Sequence, residues 1–345
     1  MNRKLSYLRI LSVIFLMMFA VSSCNDDDAE DLVGNWVDRY EFEGVARSHA
    51  VSFTIGDKAY VVSGYDGVER EYLQDCWEFN PESNQWTRMD SFPGIGRTGS
   101  CAFVVNGKGY VVGGYDGENE DKLKDVWEFN PSAAKGSQWS AKNDFVGTAR
   151  YGAVAFTVNG SGYICSGYDG SHLKELWQYD PTGDSWNQKA SIPGSKRYNA
   201  SVFVINDIAY VFGGNSNGQY VDDFWAYDYS TDTWTAKRDI ADNDDDNSYD
   251  DDYDSIVREC GATFVINGYG YVATGYSNGV INTTWEYDPS TDLWTEKTGL
   301  EGTARTNAIG ITVNNRGFIL TGRASSSYFD DVWEFHPFED QVDND

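Results

Sequence analysis

The sequence predicts an all-β fold built from six copies of one structural unit, and three observations point to it. Its 345 residues hold 23 Tyr, 18 Phe and 12 Trp, spread along the whole length together with 35 Gly, which is the composition of many short strands joined by turns. Six segments align without a gap, each opening on Arg and closing on an aromatic residue. The Trp residues recur at regular spacing, two for every such segment.

The first 23 residues stand outside this pattern. Arg3, Lys4 and Arg9 accompany the apolar run Ile10 to Ala20, which has the make-up of a secretory signal and is too short to span a bilayer as a helix. Val21-Ser22-Ser23-Cys24 follows. It resembles a bacterial lipobox, in which the Cys is lipidated and becomes the mature N-terminus; a plain secretory cleavage site is the alternative. Cys24 is therefore the expected anchor, and residues 24–33 an acidic tether. Its Asn25-Asp26-Asp27-Asp28 is similar to the export tag of surface lipoproteins in some Gram-negative bacteria. The expected location is the outer membrane with the chain facing the cell exterior, a periplasm-facing placement being the alternative.

The repeats run Arg47 to Tyr60, Arg97 to Tyr110, Arg150 to Tyr163, Arg197 to Tyr210, Arg258 to Tyr271 and Arg305 to Phe318. Apolar residues alternate through each, as in RTGSCAFVVNGKGY, with an Asn-Gly or Gly-Asp turn between two strands. A small residue and a Gly come next, from Ser63-Gly64 to Thr321-Gly322, and then a D-x-W-E-[FY]-[DN]-P type of segment around Trp77, Trp127, Trp177, Trp225, Trp285 and Trp333. These features together resemble the kelch repeat over residues 34–338. The resemblance implies a six-bladed β-propeller of four-stranded antiparallel blades, with the Trp residues packed between neighbours. The sixth repeat lacks a second Trp, but Trp36 precedes Arg47 by the same 11 residues that separate Trp86 from Arg97. The strand around Trp36 is thus expected to complete the last blade and leave no open edge.

In such a meander the loops between second and third strands share a face with the connections between blades. Long, varied loops on a rigid scaffold are where binding concentrates. The two positions after each Arg vary: Ser48-His49, Thr98-Gly99, Tyr151-Gly152, Tyr198-Asn199, Glu259-Cys260 and Thr306-Asn307. They should ring the channel mouth. His49, Tyr151, Tyr198 and Glu259 stand out there, being able to stack on or hydrogen-bond a ligand. After the small-Gly pair four repeats place Tyr65, Tyr115, Tyr168 and Tyr276, and the exceptions are Asn215 and Arg323. The six opening Arg have two readings, scaffold ion pairs or ligand contacts of the kind some kelch proteins use. Arg97, Arg150 and Arg197 are ligand candidates on the second reading.

A formal charge of −28 makes nucleic acid and anionic membrane surface poor partners, so membrane contact is expected only through the lipid. The expected function is non-catalytic recognition of a glycan or a protein by the loop face. Two kelch enzyme classes are the alternatives. Copper chemistry of the galactose-oxidase kind needs converging His, and the chain has only His49, His172 and His336. Six-bladed sialic-acid mutarotases depend on acid and base groups, which Glu259, His49 and an opening Arg could supply, but this chain lacks the long insertions associated with them. The GxGxxG match at 94–99 precedes a strand rather than a helix, and the GxSxG match at 214–218 lies in a loop, so neither carries its usual chemistry. Cys76, Cys101, Cys165 and Cys260 have no metal spacing and read as small buried hydrophobes in strands. No cofactor is expected.

One stretch breaks the rhythm. Trp234 to Arg258 spans 24 residues where other repeats use 11, and the added DNDDDNSYDDDYD covers 242–254. Asp242, Asp244 and Asp246 begin like a calcium loop, but Asn247 and Tyr253 occupy the positions of its required Gly and bidentate Glu. The stretch therefore reads as a solvated acidic flap beside the mouth, and residues 339–345 as an acidic tail with no need to fold.

Overall fold

The structure, a computed structural model, describes residues 32–242 and 248–344. The chain divides into two units, Met1–Leu32 and Val33–Asp345, and all strands among the described residues belong to the second. Cys24 and the expected signal, residues 1–23, lie outside the described residues.

Six antiparallel four-stranded sheets make up this second unit. Blade one consists, from the axis outward, of Val51–Ile55, Lys58–Val62, Cys76–Asn80 and Gln85–Arg88. The innermost strands of blades two to six are Cys101–Val105, Val154–Val158, Ser201–Ile205, Ala262–Ile266 and Ile309–Val313, and each touches the innermost strand on either side, closing the ring. Buried and half-buried residues alternate along them, and left-handed pairs such as Asn106 and Gly107 (φ 53° and 71°) form the tight turns into the second strands. Blade six takes its outer strand from the other end of the chain. Asn35–Asp38 runs antiparallel to Val332–His336, with Trp36 opposite Phe335.

The core is not inside the blades but between them. Six apolar clusters lie at the six junctions, for example Phe103 and Tyr110 of blade two against Tyr179 and Trp186 of blade three. Phe103 and Tyr110 stack with centroids 5.2 Å apart. Trp36 has no exposed surface, belongs to the junction of blades five and six, and donates its indole N–H to the Thr298 carbonyl at 3.0 Å.

The opening arginines are scaffold, which corrects Arg97, Arg150 and Arg197 as ligand candidates. Arg47 shows the pattern: Nε donates to Val45 O at 3.0 Å, Nη1 to Ser63 O at 3.0 Å, and the two Nη atoms to Asp75 at 2.6 and 2.7 Å. Asp75 also accepts the Trp77 indole N–H at 2.7 Å. Arg97 with Asp125, Arg150 with Glu175, Arg197 with Asp223 and Arg305 with Asp331 repeat the ion pair. Arg97 and Arg197 are 0% exposed and Arg150 3%, so their donors are turned to protein acceptors and do not reach the mouth.

The Arg47–Asp75 pair, together with Glu334 in blade six, sets a pH dependence. Burial pushes the Asp75 carboxyl up, but the Arg47 guanidinium and the Trp77 indole outweigh it and hold the group below its ordinary value. Arg316 and Arg39 do the same for Glu334 against its burial. A carboxyl whose folded pKa is depressed contributes stability above its unfolded value, about 4, and loses it as pH falls through the folded value. The melting temperature should be level from neutral pH down to about pH 5 and fall steeply below about pH 4. A circular-dichroism melt series checks this, and a level profile to about pH 2.5 would contradict it.

Blade five departs from the scheme. Thr283 stands where the other blades place the acid, and Arg258 is met by the carbonyls of Thr274, Thr283 and Ser255 and by the Thr283 hydroxyl. Among the described residues no carboxylate lies within ion-pair distance of this fully buried guanidinium. Ser255 also accepts the Trp285 indole N–H at 3.1 Å, taking the role Asp75 has in blade one.

Ser255 follows the acidic insert, and here the solvated-flap expectation is corrected for the described half. Tyr253 is 6% exposed, packs with Ile240, Ile256 and Trp285, and its hydroxyl accepts the Trp294 amide at 2.7 Å. Tyr249 lies under the Arg238 guanidinium at 4.7 Å. The number of Asp residues obscured the cause: the insert's two Tyr and the following Ile256 bring apolar surface that can be buried between blades four and five. Trp294 lies in the outermost strand Leu293–Lys297, so this half sits at the periphery rather than beside the mouth. Asp242 is described, whereas Asp244 and Asp246 lie outside the described residues. Among the described residues no three carboxylate, His or Cys groups converge to hold a metal.

The tail is corrected too. Gln341 accepts the Trp36 amide at 3.3 Å, Asn35 accepts the Val342 amide at 3.0 Å, and Gln341 donates to Glu301 at 2.9 Å. The acidic end thereby covers the outer edge of the strand that closes the ring.

Candidate functional site

The second residue after each opening Arg adopts a left-handed conformation: His49, Gly99, Gly152, Asn199, Cys260 and Asn307 have φ between 53° and 62°. Gly adopts it without strain and Asn with little, whereas His49 and Cys260 do so at a cost. Cys260 is therefore not a strand residue as expected, although Cys76, Cys101 and Cys165 are buried in strands. The six residues surround the axis and line a cavity of about 190 Å³. Their backbones link blade to blade. The amide of His49 donates to Asn307 O, Gly99 to His49 O, Gly152 to Gly99 O, Asn199 to Gly152 O and Cys260 to Asn199 O, at 2.8–3.3 Å. No such bond joins Asn307 to Cys260.

The residue before each of these pairs with the residue after the small-Gly pair. Ser48 bridges Tyr65, Thr98 Tyr115, Tyr151 Tyr168, Tyr198 Asn215, Glu259 Tyr276 and Thr306 Arg323. The loop hairpins then bring a third position alongside: Tyr72, Lys122, His172, Tyr220, Val280 and Tyr328. Sequence reasoning missed this position, because loops of unequal length put it at unequal distances from the Gly pair. Five of these side chains reach the next blade. Tyr328 packs on Gly67 and Tyr72 on Gly117, leaving no room for a Cβ at either. Lys122 Nζ sits 5.8 Å from the Tyr168 ring centre. His172 Nε2 accepts the Asn217 amide at 3.4 Å, and the Tyr220 hydroxyl accepts the Asn278 amide at 2.9 Å. The Val280 side chain has no group able to make such a bond.

The face divides into two halves. Across blades two to four lies an aromatic cluster in which Tyr151 is 5.4 Å from Tyr115, 5.6 Å from Tyr168 and 6.2 Å from Tyr198. His172 stands 5.2 Å from Tyr168 and 5.3 Å from Tyr198. The other half is polar. Asn199 donates to Glu259 at 3.3 Å, and burial raises the Glu259 carboxyl above its usual range. His49 Nδ1 is 3.0 Å from the Ser48 hydroxyl. Burial first, and the Arg323 charge second, lower the His49 imidazole to about 4, so it is neutral at pH 7. Burial, aided by the Glu259 charge, holds the Tyr198 phenol up at about 12, keeping its proton available for donation. Arg323 has no carboxylate within ion-pair distance among the described residues, and its Nε is buried without a hydrogen-bond partner.

Of the sequence candidates, His49, Tyr151, Tyr198, Asn215, Glu259 and Arg323 are thus gathered on one face around one mouth. The three His do not converge: His49 is held by Ser48, His172 by the tyrosines, and His336 ends the strand Val332–His336 beside Glu339. The arrangement offers stacking surface, neutral donors and acceptors, a half-buried acid in Glu259 and, in Arg323, a guanidinium with no ion pair among the described residues.

Comparison with known proteins agrees with this architecture. The KLHDC2/KLHL20/DRC7 Kelch-repeats domain matches residues 42–195, and the Kelch motif matches residues 196–239. A search of curated proteins finds no match. Among solved structures, one described as "Structure of YjhT" has a TM-score of 0.69 at 16% identity, covering 85% of this chain and 95% of that one, a likeness of fold. Matching repeats in the sequence and six closed blades in the structure together establish that the chain belongs to the kelch-repeat β-propeller family.

Proposed function

We propose that this propeller is a surface-anchored recognition module that binds a protein or glycan partner through the loop face around the axial mouth. Kelch propellers are generally interaction modules. The observation that carries the reading here is the cluster of Tyr115, Tyr151, Tyr168, His172 and Tyr198 beside the polar mouth. Half-exposed Tyr side chains supply broad contact area at low conformational cost and a hydroxyl at the rim, which suits sugar rings and peptide surfaces alike. Capture of partners from cell envelopes and from a glycan array by the wild-type chain tests it. Tyr151→Ala with Tyr198→Ala should weaken capture by roughly a hundredfold, the loss of two central aromatic anchors. Equal capture by the double variant would move the site off this face.

Anchoring rests on Cys24, which we place at the end of a lipobox. Wild-type chain should partition into the outer membrane with a lipid-sized mass increment, and Cys24→Ala should be released as a soluble protein. Retention of the variant in the membrane would refute the anchor. An enzyme acting on sugars is the second reading, favoured by the raised Glu259 carboxyl and neutral His49 near one mouth. Its signature is anomeric or chemical turnover of a bound sugar, followed by NMR and abolished in Glu259→Gln.

A further inference from the structure

We propose that the closing turn of blade six, on the side of the propeller opposite the mouth, rests on the lipid bilayer through Phe338, Val342 and Val33, so that the loop face is presented away from the membrane. The proposal rests on the Cys24 anchor and adds to it a second, non-covalent contact and an orientation.

Topology fixes where the chain enters the propeller. The strand Asn35–Asp38 runs antiparallel to Val332–His336, with Asn35 opposite His336 and Asp38 opposite Trp333. Val332 follows the loop hairpin of Arg323–Ala324 and Ser327–Tyr328, so its end of the strand belongs to the loop face and the His336 end to the opposite side. Gly34 is therefore on that far side, where its amide donates to the Glu339 carbonyl at 2.9 Å. Ten residues separate Cys24 from Gly34. At 3.3–3.6 Å each they reach no further than about 36 Å. A lipid on Cys24 holds this side of blade six within that distance of the bilayer. Such a tether limits distance but not tilt, and the side chains around Gly34 supply the preference.

Those side chains depart from the repeat. The turn between third and fourth strands places an exposed polar residue at one position in five blades: Glu82, Ser132, Thr182, Ser230 and Ser290. The amide of each donates to an Asn or Asp two residues earlier. In blade six His336 replaces that Asn or Asp, and the exposed position is Phe338, 62% accessible. Val342 and Val33 are also exposed. The Val342 amide donates to Asn35, and the Val33 carbonyl accepts the Thr298 amide, so both flank the same entry point. Phe338 further walls a cavity of about 230 Å³ that has Ile266, Phe335 and Pro337 among its lining, which continues the apolar surface inward. The turn with the apolar exception is thus the one beside the tether.

Charge decides the kind of bilayer. Glu339, Asp340 and Asp343 are exposed around the patch, so anionic headgroups are repelled and the contact is apolar, suited to a zwitterionic surface. One Phe and two Val hold a free protein on lipid only weakly. A covalent tether makes the same contact intramolecular, and a weak preference then sets the orientation. The mouth, at the other end of the blades, is left open to partners.

Photocrosslinking tests it. Protein purified from membranes is reconstituted in phosphatidylcholine vesicles with p-benzoylphenylalanine placed in turn at Phe338, Val342, Thr182 and Val68. Thr182 is the matching turn position of blade three, and Val68 lies in a loop of the mouth face. Lipid adducts, counted by mass spectrometry, are expected from Phe338 and Val342 and should be roughly tenfold fewer from Thr182 and Val68. With the probe at Val33, Phe338→Ser combined with Val342→Ser should lower the yield by roughly tenfold, the loss of one buried Phe. An unchanged melting temperature shows that the variant folds. Adding phosphatidylglycerol should reduce the adducts at Phe338; an increase would mean headgroup attraction and overturn the apolar contact. Equal yields from Val68 and Phe338, or a higher yield from Val68, overturn the orientation. The mass of the Cys24 peptide in the same sample separates the anchor from the contact. Lipid on Cys24 without an excess of adducts at Phe338 would sink only the contact. Adducts at Phe338 without lipid on Cys24 would sink only the anchor.

Discussion

Arg97→Met is expected to destabilise the folded ring by about 3–5 kcal/mol, the cost of breaking a buried ion pair by removing one partner. The Arg97 guanidinium has no exposed surface and donates to the Ile95 and Gly113 carbonyls and to both oxygens of Asp125. Met fills much of the volume but returns none of the donors, so the Ile95 carbonyl loses its side-chain partner, Asp125 loses its ion pair, and the Gly113 carbonyl is left with the Ser100 hydroxyl. Asp125 keeps its bond from the Trp127 indole and is a third exposed. Water can therefore reach it, which places the result toward the lower end of that range. Urea unfolding followed by circular dichroism measures the loss, and a change under about 1 kcal/mol would show that this arginine does not hold the blade as described.

Trp36→Ala is the second large effect, again about 3–5 kcal/mol, the range for removing a buried Trp side chain. Trp36 packs 4.6 Å from Phe335 and 6.0 Å from Phe264, and its indole bonds to Thr298. Its strand has only four residues, Asn35–Asp38, and is the piece that makes blade six four-stranded. Losing it should therefore loosen one place before the whole. Hydrogen exchange in Trp36→Ala should accelerate first along Val332–His336 and in the tail that covers Asn35, with blades two to four still protected. Uniform acceleration around the ring would mean that closure depends on no single seam, and unchanged exchange would mean that the strand is dispensable.

The two variants also mark what could and could not be read in advance. The repeat of Arg, small-Gly pair and Trp is local, so six blades were legible in the sequence, and the spacing from Trp36 to Arg47 located the outer strand of blade six. The ring of residues around the mouth was legible for the same reason, since each lies two positions after an Arg. The role of the Arg was not. Its acid partner lies 28 residues on in blades one and two, 25 in blade three and 26 in blades four and six, because the intervening loop changes length. An alignment anchored on the Arg therefore misses the pairing. The insert misled for a different reason. Its Asp residues dominate its composition, while Tyr253 determines its position by reaching the Trp294 amide.

What the sequence determined by itself is whatever repeats at short range: strand alternation, left-handed turns, the number of blades and the identity of the variable residues at the mouth. The tertiary structure alone decided which of those residues face one another. Thr306 meets Arg323, Val280 fails to span its junction, and the backbone ring opens between Cys260 and Asn307. The physical reason is that each of these contacts crosses between blades or across a loop. There the distance along the chain is set by insertions and the distance in space by closure of the ring. The asymmetry that makes a binding site of a near-symmetric scaffold arises in those contacts.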